Sequence, residues 1–570
     1  MDALSAREQE ESHSKTTNRA EVSCYAETPR NYEEAVSSAN AARWKEAIAE
    51  ELANHEAYGT WKLVPRERAR GKVLTNGWTF VTKLSQDGQS LRYKARLFVR
   101  GCQQTADQYE EVSAPVTTIT TLRLLLHRVV THEWVVKHVD VKAAYLNAGL
   151  KESIYMEVPQ GVHIGKSGNV VCELKKSLYG LKQAGFNWNG LVHATLTEHG
   201  FEKSEIDHAL YFLKGGKMEQ FAKDKRTSLH MADPDAVVAV ITVWVDDIVM
   251  AAKDGNILKG LVRMFEDRYT IKCTDLSVYL SQRIQWNNIG RNAGNDSAPA
   301  VTIDQEEYIK KVVVDSGMHE SNQSRNPNLR AVDKRTSTMD VTEYRCIVGK
   351  VLWIQRTARP DITYPVMRVC SKVAKPDKIG TAELKKILRY LNATRSAGLP
   401  IYKGGELIAF VDSDWAGDAV DRRSVTGYVI GYSNKGGGFT PIIWRSVKQS
   451  CVATSSCEAE YVAMHDVCKE VAYLRNILKE VGWLDDGPTV IYGDNASAIA
   501  IGNDTCTKAR RSRFIDIRYH YARWCAQQGI VRFEWISSRA NIADMFTKGL
   551  KTDVFVDHAQ HLVSTAGSTS

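Results

Sequence analysis

The chain has 570 residues, of which 43% are hydrophobic and 25% are charged, and its formal net charge is +8. This composition is typical of folded protein and excludes a histone-like basic tail protein and an acidic disordered chain. The length exceeds that of one ordinary domain and indicates about two to four domains, and the mild excess of basic residues favours an anionic partner.

Residues 1–20 lack the apolar core of a signal peptide. The longest apolar stretch, residues 236–245, is shorter than the roughly 20 residues needed to cross a bilayer. The 11 cysteines are scattered without a Cys-x-x-Cys pair. We therefore expect a chain that is not exported, with no membrane partner, reduced thiols and no zinc site.

Residues 1–29 are polar and almost without apolar periodicity, which predicts a disordered leader. Downstream, apolar spacing predicts, in chain order, a helix over residues 40–56, strands over 78–83 and 91–99, a helix over 118–131, a strand over 134–141, a surface insertion over 214–235 and a buried hairpin over 237–251.

The second half continues with helices over 305–318 and 381–392, strands over 407–411, 427–432 and 442–444, a long helix over 457–481, a last helix opened by residues 541–544 and a weakly patterned tail from Asp553. The triplet Asp315-Ser316-Gly317 mimics an aspartic protease motif. The helical spacing around it, with Gly317 as a helix stop, favours a helix instead.

Two adjacent aspartates, Asp246 and Asp247, lie inside the otherwise apolar hairpin. Burying two unpaired carboxylates is costly, and a divalent cation relieves that cost; an exposed Asp-Asp turn is the competing interpretation. Asp140 ends a second apolar strand. Three carboxylates from two strands could hold two magnesium ions for phosphoryl transfer. In that strand His138 lies between apolar residues, which favours a core histidine over a ligand.

Several longer motifs then make the chain resemble the reverse transcriptases of copia-type LTR retrotransposons. They are Lys-Ala-Arg-Leu at 94–97, the segment LKKSLYGLKQA at 174–184 with Trp188 downstream, Val-Asp-Asp at 245–247 and Thr-Ala-Arg-Pro-Asp-Ile at 357–362. The likeness runs from about Trp44 to about Leu550.

The resemblance implies a role for each matched position. Asp140, Asp246 and Asp247 match the metal ligands of the polymerase palm. Tyr145 matches the residue that blocks a ribose 2′-hydroxyl, and Gln183 matches a residue lining the incoming nucleotide.

The resemblance also implies that Lys94 or Arg96 meets the triphosphate, and both remain candidates because they share one strand face. Tyr279, Leu280 and Ser281 match the primer grip. Ser281 replaces a usual glycine, and Trp244 replaces a usual tyrosine before Val-Asp-Asp.

The C-terminal part resembles the ribonuclease H domain that follows the polymerase in these elements. Its matching words include Asp-Arg-Arg-Ser-Val-Thr-Gly-Tyr at 421–428, Glu-Ala-Glu-Tyr at 458–461 and Ala-Asp-Met-Phe-Thr-Lys at 543–548. The metal carboxylates it implies are Asp412, Glu460, Asp494 and Asp544. Glu458 remains an alternative to Glu460, and Asp414 an alternative to Asp412.

A run of bases beside the nuclease motifs indicates a surface that follows the phosphates of an RNA–DNA hybrid, with a solvated helix face as the competing interpretation. Its members are Lys508, Arg510, Arg511, Arg513, Arg518 and Arg523. Phe514 stands where the family usually has a histidine.

The resemblance implies an α+β fold in which a right-hand polymerase of fingers, palm and thumb or connection precedes an RNase H-like α/β domain. The expected boundaries are a leader at 1–29, fingers and palm at 30–275, thumb and connection at 276–404, the RNase H-like domain at 405–552 and a tail at 553–570.

It also implies an RNA-directed DNA polymerase and a hybrid-degrading ribonuclease, each with two Mg²⁺ ions or alternatively Mn²⁺. The implied partners are an RNA template, a DNA primer, the RNA–DNA hybrid and deoxynucleotides, with the integrase and capsid of the same element. The implied location is a cytoplasmic virus-like particle, with the nucleus as an alternative. A catalytically decayed or domesticated nucleic-acid-binding relic, or a chain with nuclease activity only, are the rival interpretations.

Overall fold

The computed structural model describes residues 28–84, 91–163, 169–220, 233–287, 298–329, 331–332, 336–418, 420–504 and 516–565. Almost all of the predicted leader and more than half of the predicted insertion at 214–235 lie outside these ranges. So do four of the predicted hybrid-binding bases, which are Lys508, Arg510, Arg511 and Arg513.

The described helices alternate with strands along the chain. They are α1 Tyr32–Ser37, α2 Ala41–Ala57, α3 Ile119–His132, α4 Ala144–Asn147, α5 Ala184–Glu198, α6 Gly255–Glu266, α7 Glu306–Asp315, α8 Val341–Thr357, α9 Thr363–Cys370, α10 Lys378–Ala393, α11 Ser456–Glu480, α12 Ala496–Gly502, α13 Tyr521–Gln527 and α14 Thr552–Leu562. Short 3-10 turns occur at Arg66–Arg68, Gly101–Gln103, Ala106–Gln108, Gly215–Gln220, Pro360–Ile362, Ile517–His520, Ser538–Ala540 and Ile542–Phe546.

The described strands form five sheets. They are β1 Trp61–Pro65, β2 Val73–Leu74, β3 Asn76–Leu84, β4 Leu91–Val99, β5 Val135–Val141, β6 Tyr155–Met156, β7 Val170–Leu174, β8 Glu202–Lys203, β9 Leu210–Lys214, β10 Val237–Trp244, β11 Asp247–Ala252, β12 Ile271–Thr274, β13 Val278–Tyr279, β14 Gln282–Trp286, β15 Val301–Asp304, β16 Ala397–Ile401, β17 Glu406–Asp414, β18 Val425–Ser433, β19 Phe439–Lys448, β20 Thr489–Gly493, β21 Val531–Trp535 and β22 Ser564–Thr565. The fold therefore mixes helices and sheets, as predicted.

The N-terminal part combines the β3–β4 hairpin with a four-stranded sheet of order β1-β7-β6-β2. Helix α2 packs on this part through Trp44, which is fully buried and meets Phe80 and Tyr93 edge-on at ring distances of 5.2 and 4.6 Å. The predicted helix at 40–56 and the strands at 78–83 and 91–99 are all present, because each buries one apolar face in this small core.

A six-stranded antiparallel sheet of order β12-β5-β11-β10-β9-β8 follows. Strand β11 is buried on both faces: Ile248 and Met250 face the core that contains α5 and α6, whereas Val249 and Ala251 face the core that contains α3. This two-sided burial explains why the hairpin sequence is continuously apolar up to its acidic turn.

A five-stranded sheet of order β13-β14-β15-β16-β22 packs with α7 to α10 in one large core. Helix α7 ends at Asp315, and Gly317 follows at a φ of +62°. The Asp-Ser-Gly triplet is therefore a helix end and not a protease loop, as the helical spacing predicted.

The last large sheet has the order β19-β18-β17-β20-β21. The first three strands pair antiparallel, and β20 and β21 add to β17 in parallel. The long helix α11 covers this sheet with Tyr461, Val467 and Leu474, which are fully buried.

Two predictions for the C-terminal region are wrong. Asp544 lies in a 3-10 turn, Ile542–Phe546, and not at the start of the last helix. The segment from Asp553, expected as a weakly patterned tail, forms α14 and β22. Its helix buries Phe555 against Tyr390, and β22 pairs with β16, so contacts far away in the chain supply the order that local periodicity lacks.

Helix α3 joins the six-stranded sheet to the C-terminal sheet. The buried Arg123 guanidinium donates to Ile442 O at 2.7 Å and to Thr357 O at 2.9 Å, and it lies 3.8 Å from the centre of the Trp444 ring. One turn further, His127 stacks on Tyr432 at 3.8 Å. These buried polar contacts fix the two parts against each other.

His127 should make stability depend on pH. Its Nε2 donates to Gly404 O at 3.0 Å, and burial lowers the pKa of the imidazole to about 3. The folded state keeps His127 neutral while the unfolded chain protonates below about pH 6.5, so stability is full above that pH and is lost as the pH falls toward 3. Through His127, the free energy of unfolding of the wild type should fall by about 1.4 kcal/mol for each pH unit below 6.5. We expect His127→Gln to abolish this contribution. Urea unfolding at several pH values measures it. Equal dependence of stability on pH in the wild type and His127→Gln would contradict this explanation.

Candidate active sites

Two carboxylates meet across neighbouring strands of the six-stranded sheet. Asp140 in β5 is the direct antiparallel partner of Asp247, the first residue of β11. Asp246 lies in the turn between β10 and β11, and its carbonyl accepts the Val141 N–H at 2.9 Å. The structure therefore brings the three predicted aspartates to one end of these strands, although Asp247 belongs to the strand and not to the turn.

The acidic turn is held by Trp188 from the predicted motif. Val245 adopts a φ of +55°, a left-handed conformation that β-branched residues rarely take. The buried Trp188 indole N–H donates to Val245 O at 2.6 Å. This bond, made by a side chain of α5, stabilises the strained turn that presents Asp246.

His138 is a mostly buried histidine whose hydrogen-bond partner belongs to this acidic group. Its Nε2 lies 2.9 Å from Asp247 Oδ1, and its ring meets Tyr279 edge-on at 5.7 Å. The sequence did contain the signal, because His138 and Asp140 are two residues apart in a strand and so share one face.

The three aspartates differ in exposure. Asp140 is exposed, whereas Asp246 and Asp247 are half-buried. Within the described part of the chain, the one group of three acidic, His or Cys side chains whose ligand atoms all lie within 4.8 Å of one another is Asp412, Glu460 and Asp494.

Arg96 is a base whose charge acts on Asp246. Burial raises the pKa of Asp246, the charges of Asp247 and Asp140 raise it further, and Arg96 opposes them. The Arg96 guanidinium lies 4.9 Å from the centre of the Tyr179 ring. Lys94 and Arg96 both remain predicted partners of the triphosphate.

Tyr145 belongs to the same group. Its ring packs edge-on against Tyr179 at 4.9 Å. Burial raises the pKa of the Tyr145 hydroxyl, and the nearby Asp246 charge adds to that rise. An aromatic side chain thus stands beside the acidic turn, and its role in sugar selection stays a prediction.

The predicted motif loop at 174–184 packs directly on the end of β4. Val99 N–H donates to Tyr179 O at 2.8 Å. A Cβ atom on Gly101 would lie 2.0 Å from Gly180 O, and one on Gly180 would lie 2.0 Å from Val99 O. Two glycines therefore allow the backbone contact that places Arg96 near the acidic turn.

Gln183 has a different environment from the one that the resemblance implies. It is buried, its Oε1 accepts from Gln104 Nε2 at 3.0 Å, and its Nε2 donates to Gln108 O at 2.8 Å. Both ends of the amide are thus engaged in holding the 104–108 loop, and the role in nucleotide binding stays a prediction.

The predicted primer-grip residues form the tight turn between β13 and β14. Tyr279 is buried, and Leu280 and Ser281 follow with φ angles of +49° and +62°. Two successive positive φ angles suit glycine or asparagine, which explains why glycine is usual at the position of Ser281.

Restoring that glycine should stabilise the turn. We expect Ser281→Gly to raise the free energy of unfolding by about 1 kcal/mol, because glycine adopts the left-handed conformation without steric cost. Urea unfolding measures the change. Ser277→Gly, at a neighbouring position outside the left-handed turn, is the control, and equal effects of the two substitutions would contradict the explanation.

The second acidic group lies at the end of the C-terminal sheet. Asp412 comes from β17, Glu460 from the first turns of α11, and Asp494 directly after β20. Their ligand atoms lie within 4.8 Å of one another. Asp494 Oδ2 also accepts from Ser538 Oγ at 2.6 Å, which orients the most exposed of the three carboxylates.

Asp544 reaches the same group through a shared cation. Lys548 Nζ lies 2.9 Å from Asp544 Oδ1 and 3.6 Å from Asp412 Oδ2. Burial raises the pKa of Asp544 to about 7, and the charge of Asp412 contributes to that rise. All four predicted carboxylates are therefore neighbours.

The two alternative acids have other partners. Glu458 Oε2 accepts from the Thr454 N–H at 2.8 Å and from its hydroxyl at 2.6 Å, so it closes the start of α11. Asp414 accepts from the Val425 N–H. The structure therefore places Glu460 and Asp412 in the cluster.

The second group fits a divalent cation. Burial raises the pKa of Glu460 well above its usual range, and the charges of Asp412 and Asp494 add to it. Closely spaced buried carboxylate oxygens of this kind are stabilised by hard cations such as Mg²⁺ and Mn²⁺.

Comparison with known proteins identifies the family. A family model described as reverse transcriptase (RNA-dependent DNA polymerase) matches residues 58–330. The putative transposon Ty5-1 protein of Saccharomyces cerevisiae is 30% identical over 339 residues, which are 58% of this chain and 100% of that protein. This chain belongs to the copia-type retrotransposon reverse transcriptases. The predicted resemblance to the copia-type reverse transcriptases is confirmed.

Longer relatives extend beyond the chain. The retrovirus-related Pol polyprotein from transposon RE1 of Arabidopsis thaliana is 31% identical over 528 residues, which are 91% of this chain and 34% of that protein. The chain thus spans about a third of the length of that Pol polyprotein. The solved foamy viral protease-reverse transcriptase in complex with dsDNA is 14% identical, with 87% of this chain and 83% of that chain covered and a TM-score of 0.44.

Sequence reasoning missed two side chains of this family member that touch the second acidic group. Lys548 was part of a matched motif, but no spacing rule pairs it with Asp412, which lies far away in the chain. The Trp535 indole N–H donates to Asp494 O at 3.1 Å, and the ring is 61% exposed. Its position at the end of strand β21 was the available signal.

The basic surface of this family member is described only in part. Of the predicted hybrid-binding bases, Arg518 has a described backbone in the turn Ile517–His520, and Arg523 lies in α13 with its Nε donating to Ile501 O at 3.2 Å. None of the described helices is long and apolar enough to cross a membrane.

Proposed function

We propose that this chain is an RNA-directed DNA polymerase with a C-terminal ribonuclease H that degrades the RNA of RNA–DNA hybrids. The observation that carries the proposal is the pairing of Asp140 with Asp247, with Asp246 in the adjoining turn, inside the segment that matches the reverse transcriptase family. Carboxylates at the ends of adjacent strands suit two-metal phosphoryl transfer.

In the polymerase site, Asp140, Asp246 and Asp247 would hold two Mg²⁺ ions, or Mn²⁺, which activate a primer hydroxyl and stabilise the leaving pyrophosphate. Arg96 would meet the triphosphate, with Lys94 further along the same strand face. Gln183 would support the loop around the incoming deoxynucleotide.

The remaining polymerase roles concern sugar selection and the primer. Tyr145 would fill the space of a ribose 2′-hydroxyl, and its edge-on contact with Tyr179 fixes the ring for that task. The turn Tyr279-Leu280-Ser281 would grip the primer end. The packing of Tyr279 against His138, which contacts Asp247, connects the grip to the acidic group.

In the nuclease site, Asp412, Glu460, Asp494 and Asp544 would hold two further divalent ions for hydrolysis of a phosphodiester. The mixed five-stranded sheet, with acids at strand ends and at the start of the covering helix, supports an RNase H-like domain over 405–552. The bases Lys508, Arg510, Arg511, Arg513 and Arg518 would track hybrid phosphates.

The proposed partners follow from the two reactions. They are an RNA template, a DNA primer, deoxynucleotides and the hybrid product, together with the integrase and capsid of the same element. A cytoplasmic virus-like particle, or alternatively the nucleus, would be the location. The fingers and palm would occupy 30–275 and the thumb and connection 276–404.

Primer extension on an RNA template with Mg²⁺ and deoxynucleotides tests the polymerase. We expect extension by the wild-type chain and a loss of at least about a thousandfold for Asp246→Asn, because the amide no longer offsets cation charge. Asp235→Asn, an exposed acid at the other end of the hairpin, is the matched control. Equal extension by wild type and Asp246→Asn would disprove the assignment.

One observation favours a second candidate function, in which only the nuclease works. The ligand atoms of three nuclease acids, Asp412, Glu460 and Asp494, lie within 4.8 Å of one another, whereas Asp140 of the polymerase group is exposed. Digestion of labelled RNA in a hybrid, with Asp494→Asn and the exposed Asp486→Asn as its control, measures this activity separately. Cleavage without any primer extension would establish the nuclease-only alternative.

A further inference from the structure

Lys548 is a cation built into the second acidic group. Its Nζ lies 2.9 Å from Asp544 Oδ1 and 3.6 Å from Asp412 Oδ2. The Lys548 side chain is 46% exposed, whereas those of Asp412 and Asp544 are 3% and 12% exposed. The ammonium therefore approaches two buried carboxylates from the solvent side.

The local chain fixes where this lysine starts. Asp544 and Lys548 are four residues apart across the turn Ile542–Phe546, and Lys548 N–H donates to Asp544 O at 3.2 Å. The preceding Thr547 hydroxyl donates to Asp412 Oδ2, the same oxygen that Lys548 approaches.

Strand β18 packs so closely against residues 546–547 that the turn cannot move toward the sheet. A Cβ atom on Gly427 would lie 2.6 Å from Thr547 Cγ2 and 2.7 Å from Phe546 Cβ. The residues just before Lys548 therefore pack tightly against β18. The lysine side chain itself is half-exposed and flexible.

The same oxygens suit a divalent cation, and an ammonium and a divalent cation repel each other strongly a few ångströms apart. We propose that Lys548 and a divalent cation compete for the Asp412–Asp544 side of the cluster, so that the ion on the Asp412–Glu460–Asp494 side binds first and the second binds only when Lys548 swings into solvent. This inference rests on the proposed nuclease site.

Calorimetric titration with Mn²⁺ tests the competition. The host is the full chain with Asp140→Asn and Asp247→Asn, which weakens binding at the polymerase aspartates. We expect a tight and a weak ion at the nuclease cluster, and Lys548→Met should bind the weak ion at least about tenfold more tightly. Lys548→Arg should behave like the host. Lys551→Met, which removes an exposed lysine three residues away, should also change nothing.

A second readout uses no added metal. In EDTA the loss of Lys548 leaves four neighbouring acids without their nearest cation, so we expect Lys548→Met to unfold at a lower temperature than the host and Lys551→Met to unfold at the host temperature. If Lys548→Met does not fold, Lys548→Gln, which can still donate to Asp544, replaces it in both experiments.

The outcomes separate the two proposals. Identical Mn²⁺ titrations for the host and Lys548→Met would overturn the competition while leaving the nuclease site intact. If Asp494→Asn in the host removes no bound Mn²⁺, the nuclease site itself fails, and the competition fails with it.

Discussion

Replacing Arg359 with methionine is expected to destabilise the protein by about 3–5 kcal/mol. Arg359 and Asp361 are both fully buried, and the guanidinium donates to the two carboxylate oxygens of Asp361 at 2.9 and 2.7 Å. It also donates to Thr394 O at 2.9 Å, while the Tyr390 hydroxyl donates to Asp361 at 2.6 Å. Methionine keeps the volume but leaves Asp361 as a buried charge without its cation.

Urea unfolding measures this loss. Arg395→Met, in the same region but with a side chain that is 54% exposed, should cost less than about 0.5 kcal/mol. The Thr-Ala-Arg-Pro-Asp-Ile motif thus has a structural explanation, which is a buried ion pair that ties the turn before α9 to the end of α10. Equal stability of the two variants would contradict this explanation.

Gly180→Ala is expected to be the most damaging single-methyl addition near the polymerase site. Gly180 has a φ of +93°, and an added Cβ would lie 2.0 Å from Val99 O. Both the strained conformation and the backbone collision oppose the substitution, so we expect a loss of at least about 3 kcal/mol or displacement of the loop from β4.

The displacement has a functional consequence. The loop carries Tyr179, which contacts both Arg96 and Tyr145, so primer extension should fall even where the variant folds. Gly149→Ala is the matched control, because no atom lies within 4 Å of the Cβ position there. Thermal unfolding and primer extension are measured on both variants. Normal extension by folded Gly180→Ala would show that the loop does not position Arg96.

Local sequence pattern was sufficient for much of the fold. The hairpin of β10 and β11 was predictable because a continuous apolar run is typical of strands that are buried on both faces of a sheet. The two acids that interrupt the run mark the turn. Helix α10 was predictable from its apolar stripe, and β4 from its alternation. The convergence of Asp412, Glu460 and Asp494 followed from family motifs and not from spacing.

The remainder depends on contacts that no local window contains. The sequence of helix α14 has weak apolar periodicity, but its Phe555 ring packs edge-on against the Tyr390 ring. Arg123 looked like one more base on a helix, and its partners Ile442 and Thr357 are more than 200 residues away. The pairing of Lys548 with Asp412 is hidden for the same reason. Chain topology, and not propensity, decides each of these contacts.

The central claim is that two separate acidic groups on this chain perform two reactions. The direct test is one reaction with Mg²⁺, deoxynucleotides, a labelled DNA primer and a differently labelled RNA template. We predict that the wild-type chain extends the primer and cuts the RNA. Asp246→Asn should cut the RNA of pre-formed hybrid without extending the primer. Asp494→Asn should extend the primer without cutting the RNA. Loss of both activities in either folded variant, or neither activity in wild type, would contradict the account.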